Sequence, residues 1–367
     1  MSKRIIISGG GTGGHIFPAI SIANALKKMD SHVEILFIGA EGKMEMDKVP
    51  AAGYKIIGLP VIGLQRKLFA KKNFALPFKL WKSLRQAAKS ISSFKPDAVV
   101  GVGGYASAPT LWSAQNKSIP TLIQEQNSYA GLTNKFLGRR AKKICVAYEN
   151  MDRFFPKSKI IFTGNPVRQD LADVSKLRQE AFEYFELDPK LRTVLLLGGS
   201  LGARTMNLSV LHHIQQISQY DNIQLIWQIG ELYAKEITEK MKAYDCKNVK
   251  VMNFIKRMDY AFAAADLVIS RAGAGTISEL CVVQKPCILV PSPNVTEDHQ
   301  TFNAMALVNK QAAILIPDSE AVDNLIPIAL KVAEDEKKLK ELSHSIGQLA
   351  ITNAADTIAK EVLALAK

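Results

Sequence analysis

The chain has 367 residues, 47% hydrophobic and 22% charged, a composition that excludes a disordered chain and allows two domains of ordinary size. No apolar run reaches the ~18 residues needed to cross a bilayer. Met1-Ser2-Lys3-Arg4 runs straight into an apolar segment without a cleavable-leader pattern, and the four cysteines lack metal spacing, so a cytoplasmic protein with reduced core thiols is expected.

The formal charge of +13 is lopsided: residues 1–165 hold 25 basic and 9 acidic side chains. The 49 residues between Asp47 and Asp97 contain eleven Lys or Arg and no acid. The first half should therefore meet a polyanion, an anionic membrane or a nucleic acid; a merely solvated basic face is the alternative.

In chain order, Ile5–Ser8 reads as a buried strand, followed by the turn Gly9-Gly10-Gly11-Thr12-Gly13-Gly14-His15 and a helix over Phe17–Met29. Strands follow at Val33–Gly39, Asp97–Val102, Thr121–Gln124 and Lys143–Ala147. The alternation of strand and helix predicts a parallel, doubly wound sheet. Gly164-Asn165-Pro166 breaks the pattern and marks the expected domain boundary, because a residue before proline favours extended or turn backbone.

Alternation then restarts. Strands are expected at Thr193–Leu197, Gln224–Gln228, Val249–Met252, Leu267–Ser270, Cys287–Val290 and Ala313–Ile316, with helices over Thr276–Val283 and His299–Lys310. A second glycine turn, Gly198-Gly199-Ser200-Leu201-Gly202-Ala203, follows the first of these strands. The tail from Asp323 is helical by pattern.

A glycine turn between a strand and a helix lets backbone N–H groups approach an anion at the positive end of the helix. Two such turns suggest two α/β lobes serving phosphate-bearing substrates. The first also satisfies the dinucleotide pattern, which needs an acid ending the second strand; Glu41 lies rather far along for that. His15 has no use in a dinucleotide fold. The positive helix end disfavours an imidazolium, so a neutral ring able to accept a proton is expected, the bland reading being a turn cap. Gly103-Gly104-Tyr105-Ala106-Ser107 and Gln124-Glu125-Gln126-Asn127 follow strands on the same sheet edge, where open parallel sheets bind ligands. In the second half, Glu279 is placed in the first turn of its helix, where it would suit two ribose hydroxyls or simply favour the helix end. Gln300 and Asn303 are candidates for phosphate or sugar contacts, and Asp298 for an N-cap. The chain has no Asp-x-Asp pair and no Walker lysine, so helix ends rather than a metal are expected to face a leaving diphosphate.

Phe69, Phe74, Phe78 and Trp81 interleave with lysines in the acid-free stretch. Trp81, Leu84, Ala88 and Ile91 recur at helical spacing and are expected to face the core, leaving Phe69, Phe74 and Phe78 to dip into an anionic bilayer.

These motifs together closely resemble the MurG family, the peptidoglycan N-acetylglucosaminyltransferases of bacteria. The resemblance rests on Gly9–Ala19, Gly103–Ser107, Gln124–Asn127, Ala130–Lys135, Gly164–Arg168, Gly198–Ala203, Arg271–Leu280 and Glu297–Ala304. It implies a GT-B fold, two Rossmann-like doubly wound parallel-sheet domains facing a cleft. The expected limits are 1–164 for the acceptor- and membrane-binding domain, 165–345 for the UDP-GlcNAc-binding domain, and 346–367 for a helix packing back on the first. The resemblance further implies inverting transfer of GlcNAc from UDP-GlcNAc to the 4-hydroxyl of the muramoyl sugar of lipid I, at the cytoplasmic membrane face. No cofactor, metal site or nucleic-acid partner is expected from the motifs, while assistance by a divalent ion stays open. Substrate contacts carry over to Thr12, Gly13, Gly14, Asn127, Arg168, Ser200, Ile255, Ala274, Gly275, Thr276, Ile277, Ser278, Glu279 and Gln300. By that analogy the Ile255 backbone reads uracil, Glu279 holds ribose, and Ser200 with its turn holds diphosphate. Arg168 couples donor binding to closure. His15 is the expected general base, with Glu125 the second candidate. Gln124 departs from the histidine frequent in the family, which leaves no proton-transfer role there, and Thr301 stands where some members carry a second glutamine.

Two other readings stay open at this stage. An epimerase of the same fold would release UDP without a lipid-linked acceptor, and a nucleic-acid binder would hold RNA in competition with UDP, although no nucleic-acid-reading motif is present.

Overall fold

The structure is a computed structural model that describes residues 2–61, 76–168, 171 and 173–366. Phe69 and Phe74 lie outside the described residues. The chain divides into two units, Met1–Arg168 with Ile351–Lys367, and Gln169–Ala350.

The first unit is built on a parallel sheet in the order β3-β2-β1-β4-β5-β6-β7. Its strands are β1 (Arg4–Ser8), β2 (Glu34–Ala40), β3 (Lys55–Leu59), β4 (Ala98–Gly101), β5 (Thr121–Glu125), β6 (Lys143–Val146) and β7 (Ile160–Phe162). Helices α1 (Gly13–Met29), α2 (Glu45–Ala51), α3 (Leu76–Phe94), α4 (Ser107–Asn116) and α5 (Leu132–Gly138) connect them. Strand alternation sends Ile5 and Ile7 to one face, with Ile16, Ile22 and Leu26 of α1, and Ile6 to the other, with Ala87 and Ile91 of α3. Both faces are thus covered, as a parallel sheet requires.

The second unit repeats the plan with the order β10-β9-β8-β11-β12-β13. Its strands are β8 (Arg192–Leu197), β9 (Ile223–Gln228), β10 (Val249–Met252), β11 (Leu267–Ser270), β12 (Cys287–Leu289) and β13 (Ile314–Leu315). Its helices are α6 (Arg178–Phe185), α7 (Arg204–His212), α8 (Ile214–Ser218), α9 (Ala234–Met241), α10 (Met258–Ala264), α11 (Ala274–Val282), α12 (His299–Val308), α13 (Ala321–Glu334) and α14 (Glu336–Gly347). The helical tail expected from Asp323 is divided into three helices. The chain leaves α14, changes unit at 350/351, and ends in α15 (Ala354–Leu365), whose Ile358, Ala359 and Val362 share a core with Ile5 and Ile7.

The units exchange chain at 168/169 rather than 164/165 because Gly164-Asn165-Pro166 is held inside the first unit. Asn165 is buried, with its side chain bonded to Gln124 and to the Gln126 carbonyl, and the Gly164 α-carbon rests against Ile351. Strands β3 and β7 carry no clean sequence signal because they are the sheet's edges and are only partly covered.

In each sheet the strand order reverses once, between β1 and β4 in the first and between β8 and β11 in the second. Loops leaving adjacent strands there diverge to opposite faces and open a crevice at the carboxyl edge. The loops at the first reversal are Gly9–Thr12 and Val102–Ala106; those at the second are Gly198–Ala203 and Arg271–Gly273.

Candidate functional site

In the first unit the two glycine loops touch backbone to backbone. Gly104 has φ of +80°, and a Cβ there would lie 2.1 Å from the Gly10 carbonyl oxygen, so no other residue fits. Helix α1 begins at Gly13, four residues before the expected start, which puts His15 in its first turn. The half-buried His15 ring meets Thr12 Oγ1 through Nδ1 at 3.1 Å. Its Nε2 lies beside Gly103, 2.9 Å from where a Cβ would stand. Thr12, Gly13, Gly14 and His15 are thereby brought together at the sheet's reversal point.

The Gln124–Asn127 segment departs from the expectation of four ligand contacts. Gln124, Glu125 and Gln126 are all buried. Gln126 donates to the Val102 carbonyl at 2.7 Å and to Gln124 Oε1, and Gln124 donates to Asn165 Oδ1 at 2.9 Å. Glu125 accepts from the Asn127 and Gly131 amides, each at 3.1 Å, and from Asn134 Nδ2 at 2.8 Å. Burial pushes its carboxyl pKa up, and the same N–H donors oppose that rise. A carboxylate enclosed in this way shapes a loop, and as a general base it would first have to give up these partners. Asn127 is the half-buried member of the segment, and Arg168 is a half-buried residue ending the unit's first stretch.

In the second unit the turn after β8 is clamped against the end of β9. A Cβ on Gly230, whose φ is +82°, would lie 2.0 Å from the Gly202 amide nitrogen, and the Glu231 amide donates to the Ser200 carbonyl at 3.1 Å. Asn207 bridges α7 to β9, donating to the Ile229 carbonyl at 2.9 Å and accepting Trp227 Nε1 at 3.0 Å. Ser200 remains exposed at the tip of the turn. Helix α11 begins at Ala274, with Gly273 as its N-cap, so Gly275 and Thr276 lie in its first turn, and Ala274 is buried.

Several of the expected contact residues are engaged within the protein. Glu279 is half-buried in the second turn of α11 rather than the first, so it is too far along to serve merely as a favourable acid at the helix end. Ile277 is a core residue, and Ser278 donates its hydroxyl back to the Ala274 carbonyl at 2.9 Å. Ile255 is 1% exposed, between the exposed Phe254 and Lys256. Gln300 accepts the Ser292 amide at 2.8 Å, fixing its orientation. Asn303 is buried and donates to the Ala272 carbonyl at 3.3 Å, so it ties loops together. Asp298 precedes α12 in a left-handed conformation and takes the Thr301 hydroxyl at 2.7 Å instead of capping a backbone amide.

Other residues organise the site without having been given a role from sequence. Arg271 donates to the Val290 and Pro291 carbonyls, each at 3.2 Å, and pairs with Asp318, whose other oxygen accepts the Thr205 hydroxyl at 3.0 Å. It thus ties together the chain leaving β11, β12 and β13 and the start of α7. Glu45 is fully buried behind the first glycine loop. Arg271 opens the Arg271–Leu280 motif, but its role as a tie between loops, like the burial of Glu45, emerges only from tertiary proximity.

The surface of the first unit carries exposed aromatics among basic side chains. Phe78 and Trp81 of α3 are 67% and 56% exposed and stack at 6.3 Å, with the Arg85 guanidinium 5.6 Å from the Trp81 ring. Trp81 therefore leaves the core stripe assigned to it, which runs instead through Ser83, Ala87 and Ile91. On the neighbouring helices Phe136 stacks on Trp112 at 5.5 Å, under Arg140. Among the described residues no helix is long and apolar enough to cross a membrane.

Comparison with known proteins matches both units. The glycosyltransferase family 28 N-terminal domain model matches residues 5–146, and the glycosyltransferase family 28 C-terminal domain model matches residues 193–361. A UDP-N-acetylglucosamine–N-acetylmuramyl-(pentapeptide) pyrophosphoryl-undecaprenol N-acetylglucosamine transferase of Parabacteroides distasonis is 57% identical over 360 residues, covering 98% of this chain and 97% of that protein. The protein of the same name from Bacteroides fragilis is 56% identical over 365 residues, covering 99% and 96%. Among solved structures, Acinetobacter baumannii MurG superposes with a TM-score of 0.77 at 28% identity, covering 99% of both chains.

Proposed function

The chain belongs to the MurG family within glycosyltransferase family 28, and from that premise we propose how its residues divide the work. It is a UDP-GlcNAc-dependent glycosyltransferase of the GT-B fold that moves N-acetylglucosamine to the 4-hydroxyl of the muramoyl sugar of lipid I, giving lipid II for peptidoglycan. The reaction inverts the anomeric centre. The acceptor oxygen forms its bond to C1 as the bond from C1 to the UDP oxygen breaks, and the hydroxyl proton passes to a base.

The observation that carries the division of roles is the placement of a glycine turn at the strand-order reversal of each sheet. In the second unit the turn with Ser200 and the start of α7 suit the diphosphate of UDP, whose charge grows as C1 departs. Ala274, Gly275 and Thr276 line the start of α11, and Glu279 offers its carboxylate to the ribose hydroxyls. Ile277 and Ser278 hold that helix in place, Gln300 presents its amide beside it, and the Ile255 segment serves the uracil. In the first unit Thr12, Gly13, Gly14, Asn127 and Arg168 serve substrate contacts.

His15 is the general base. Its Nδ1 meets Thr12 Oγ1, and in the tautomer whose Nδ1–H donates there the lone pair is on Nε2, on the Gly103 side of the ring. Glu125, enclosed by its four-residue network, shapes the loop that carries Asn127.

The protein works at the cytoplasmic membrane face as a peripheral protein. Phe78 and Trp81, with Phe136 beside Trp112, supply apolar area, and the surrounding cations supply attraction to anionic headgroups.

The test is a transfer assay with purified protein, UDP-GlcNAc and a lipid-linked muramoyl diphosphate. UDP release and a β-linked disaccharide product should both require the acceptor. UDP released at the same rate without acceptor would replace this reading with an epimerase or hydrolase.

A further inference from the structure

Glu45 is the first residue of α2, and none of its surface reaches solvent. A buried carboxylate is costly unless donors surround it. Here the donors are main-chain amides from the first glycine loop and from the end of β2. The Gly11 N–H donates to Oε1 at 3.0 Å and lies 3.1 Å from Oε2, and the Ala40 N–H donates to Oε1 at 3.0 Å.

Space for the side chain has been cleared at two positions. A Cβ on Gly10 would stand 2.0 Å from Glu45 Oε1, and one on Gly39 would stand 2.7 Å from its Cγ. The β2–α2 connection therefore delivers a negative charge to the inner face of the β1–α1 glycine loop. That loop is held on another side by Gly104, packed against the Gly10 carbonyl.

A run of three glycines followed by threonine has wide conformational freedom and should not by itself hold a catalytic ring still. Charge-assisted bonds to a carboxylate are the means present to restrict it. We propose that Glu45 is a positioning residue for the acceptor side of the reaction. It turns the Gly11 amide inward, and so fixes Gly10 against Gly104 and sets Thr12 and His15 at the start of α1. Glu45 itself touches no substrate and transfers no proton. The Gly11 amide is consequently committed to the protein, and an acceptor diphosphate is bound by other groups.

The proposal rests on the glycosyltransferase reading, and its test separates the two. Glu45→Gln keeps the volume, but its NH2 group must oppose an N–H donor. Its kcat with the lipid-linked acceptor should fall about 10-fold or more, since small misplacements of a catalytic group cost up to ~100-fold, while UDP affinity stays within about 2-fold because UDP belongs to the other unit. Glu45→Asp, which retains the charge, should recover part of the loss. The pH at which the acid limb of the rate falls should not move. Wild-type kinetics in Glu45→Gln, or a loss of UDP affinity as large as the loss of turnover, overturns the proposal. Failure of the wild-type protein to transfer sugar overturns the functional reading instead.

A measurement on the unaltered protein guards against a variant that fails to fold. With glycine 15N-labelled, the Gly11 amide should exchange its proton slowly without any ligand present, although Gly11 itself is exposed. Fast exchange at Gly11 overturns the proposal.

Discussion

Asn134 donates its side-chain amide to Glu125 Oε2 at 2.8 Å and so joins the end of β5 to helix α5. The same carboxylate collects the amides of Asn127 and Gly131, which makes it the hub of the loop between those elements. Replacing Glu125 with Ala should cost about 3 kcal/mol or more of stability, because several buried donors lose their acceptor together. Chemical denaturation of the variant checks the size. Activity should fall in Glu125→Gln as well, with the pH–rate profile keeping its wild-type acid limb. A lost limb would return Glu125 to the role of base.

His15→Asn should behave in the opposite manner. Removing a general base lowers kcat by ~10²–10⁴-fold. The acid limb of kcat against pH should disappear, because nothing remains to titrate in that step. UDP affinity should stay unchanged, and a retained limb would move the base elsewhere.

The close backbone contacts predict which glycines tolerate no methyl group. Gly104→Ala drives a Cβ into the Gly10 carbonyl, and Gly230→Ala drives one into the Gly202 amide. Each also strains a left-handed backbone, a cost of about 1–2 kcal/mol before any clash. The first substitution should impair acceptor turnover and spare UDP binding, whereas the second should weaken UDP binding directly. Titration calorimetry with UDP distinguishes them, and equal UDP affinities in the two variants would contradict the division.

What the sequence reveals follows from how local each feature is. Ile5–Ile7 and Leu195–Leu197 are continuous apolar runs followed by glycine turns, so the central strands and their glycine loops are visible from pattern alone. Lys55–Leu59 and Ile160–Phe162 form sheet edges with mixed burial, and no such run marks them. Gln124–Gln126 look like ligand contacts because polar residues at a strand end usually are. The partners of Gln124 and Gln126 include Asn165 and Val102, which are 41 and 24 residues distant in sequence and meet them only on folding. Trp81 fits a helical stripe, yet Ser83 and Ala87 take the buried side because α3 packs closely on α4, where small residues fit.

Lys285 predicts a pH signature for the second unit. Its ammonium donates to the Ala265 carbonyl at 2.7 Å, and burial, with the Arg178 guanidinium adding to it, lowers its pKa from 10.5 to about 8. A lysine whose folded pKa is depressed favours the folded state when neutral. Its contribution is therefore present at high pH and lost as pH falls from 10.5 towards 8, by up to about 3 kcal/mol. Against Lys285→Met, the wild-type protein should gain relative stability steadily as pH rises from 8 to 10, in urea unfolding series. A difference that stays flat would mean the ammonium is well solvated.

The aromatic surface of the first unit predicts how the protein meets a membrane. Two forces act there, and they separate by salt. Aromatic rings pressed into the headgroup region contribute by area removed from water, about 25 cal/mol per Å², and are little affected by ionic strength. Lysine and arginine near an anionic surface contribute about 1 kcal/mol each, and salt screens that attraction within about 10 Å at 0.1 M. Phe78 and Trp81 are exposed side by side, with Lys82 and Arg85 exposed on the same helix. Phe78→Ser with Trp81→Ser should reduce partitioning onto vesicles containing anionic lipid by about 10-fold or more. The residual binding should then vanish in about 0.5 M salt. Activity on a soluble acceptor should be unaffected, because neither ring lies in the Gly9–Thr12 or Val102–Ala106 loops. If the double variant binds vesicles as the wild type does, the rings are not the contact. If its binding is lost along with activity on the soluble acceptor, the helix α3 face serves the fold rather than the bilayer.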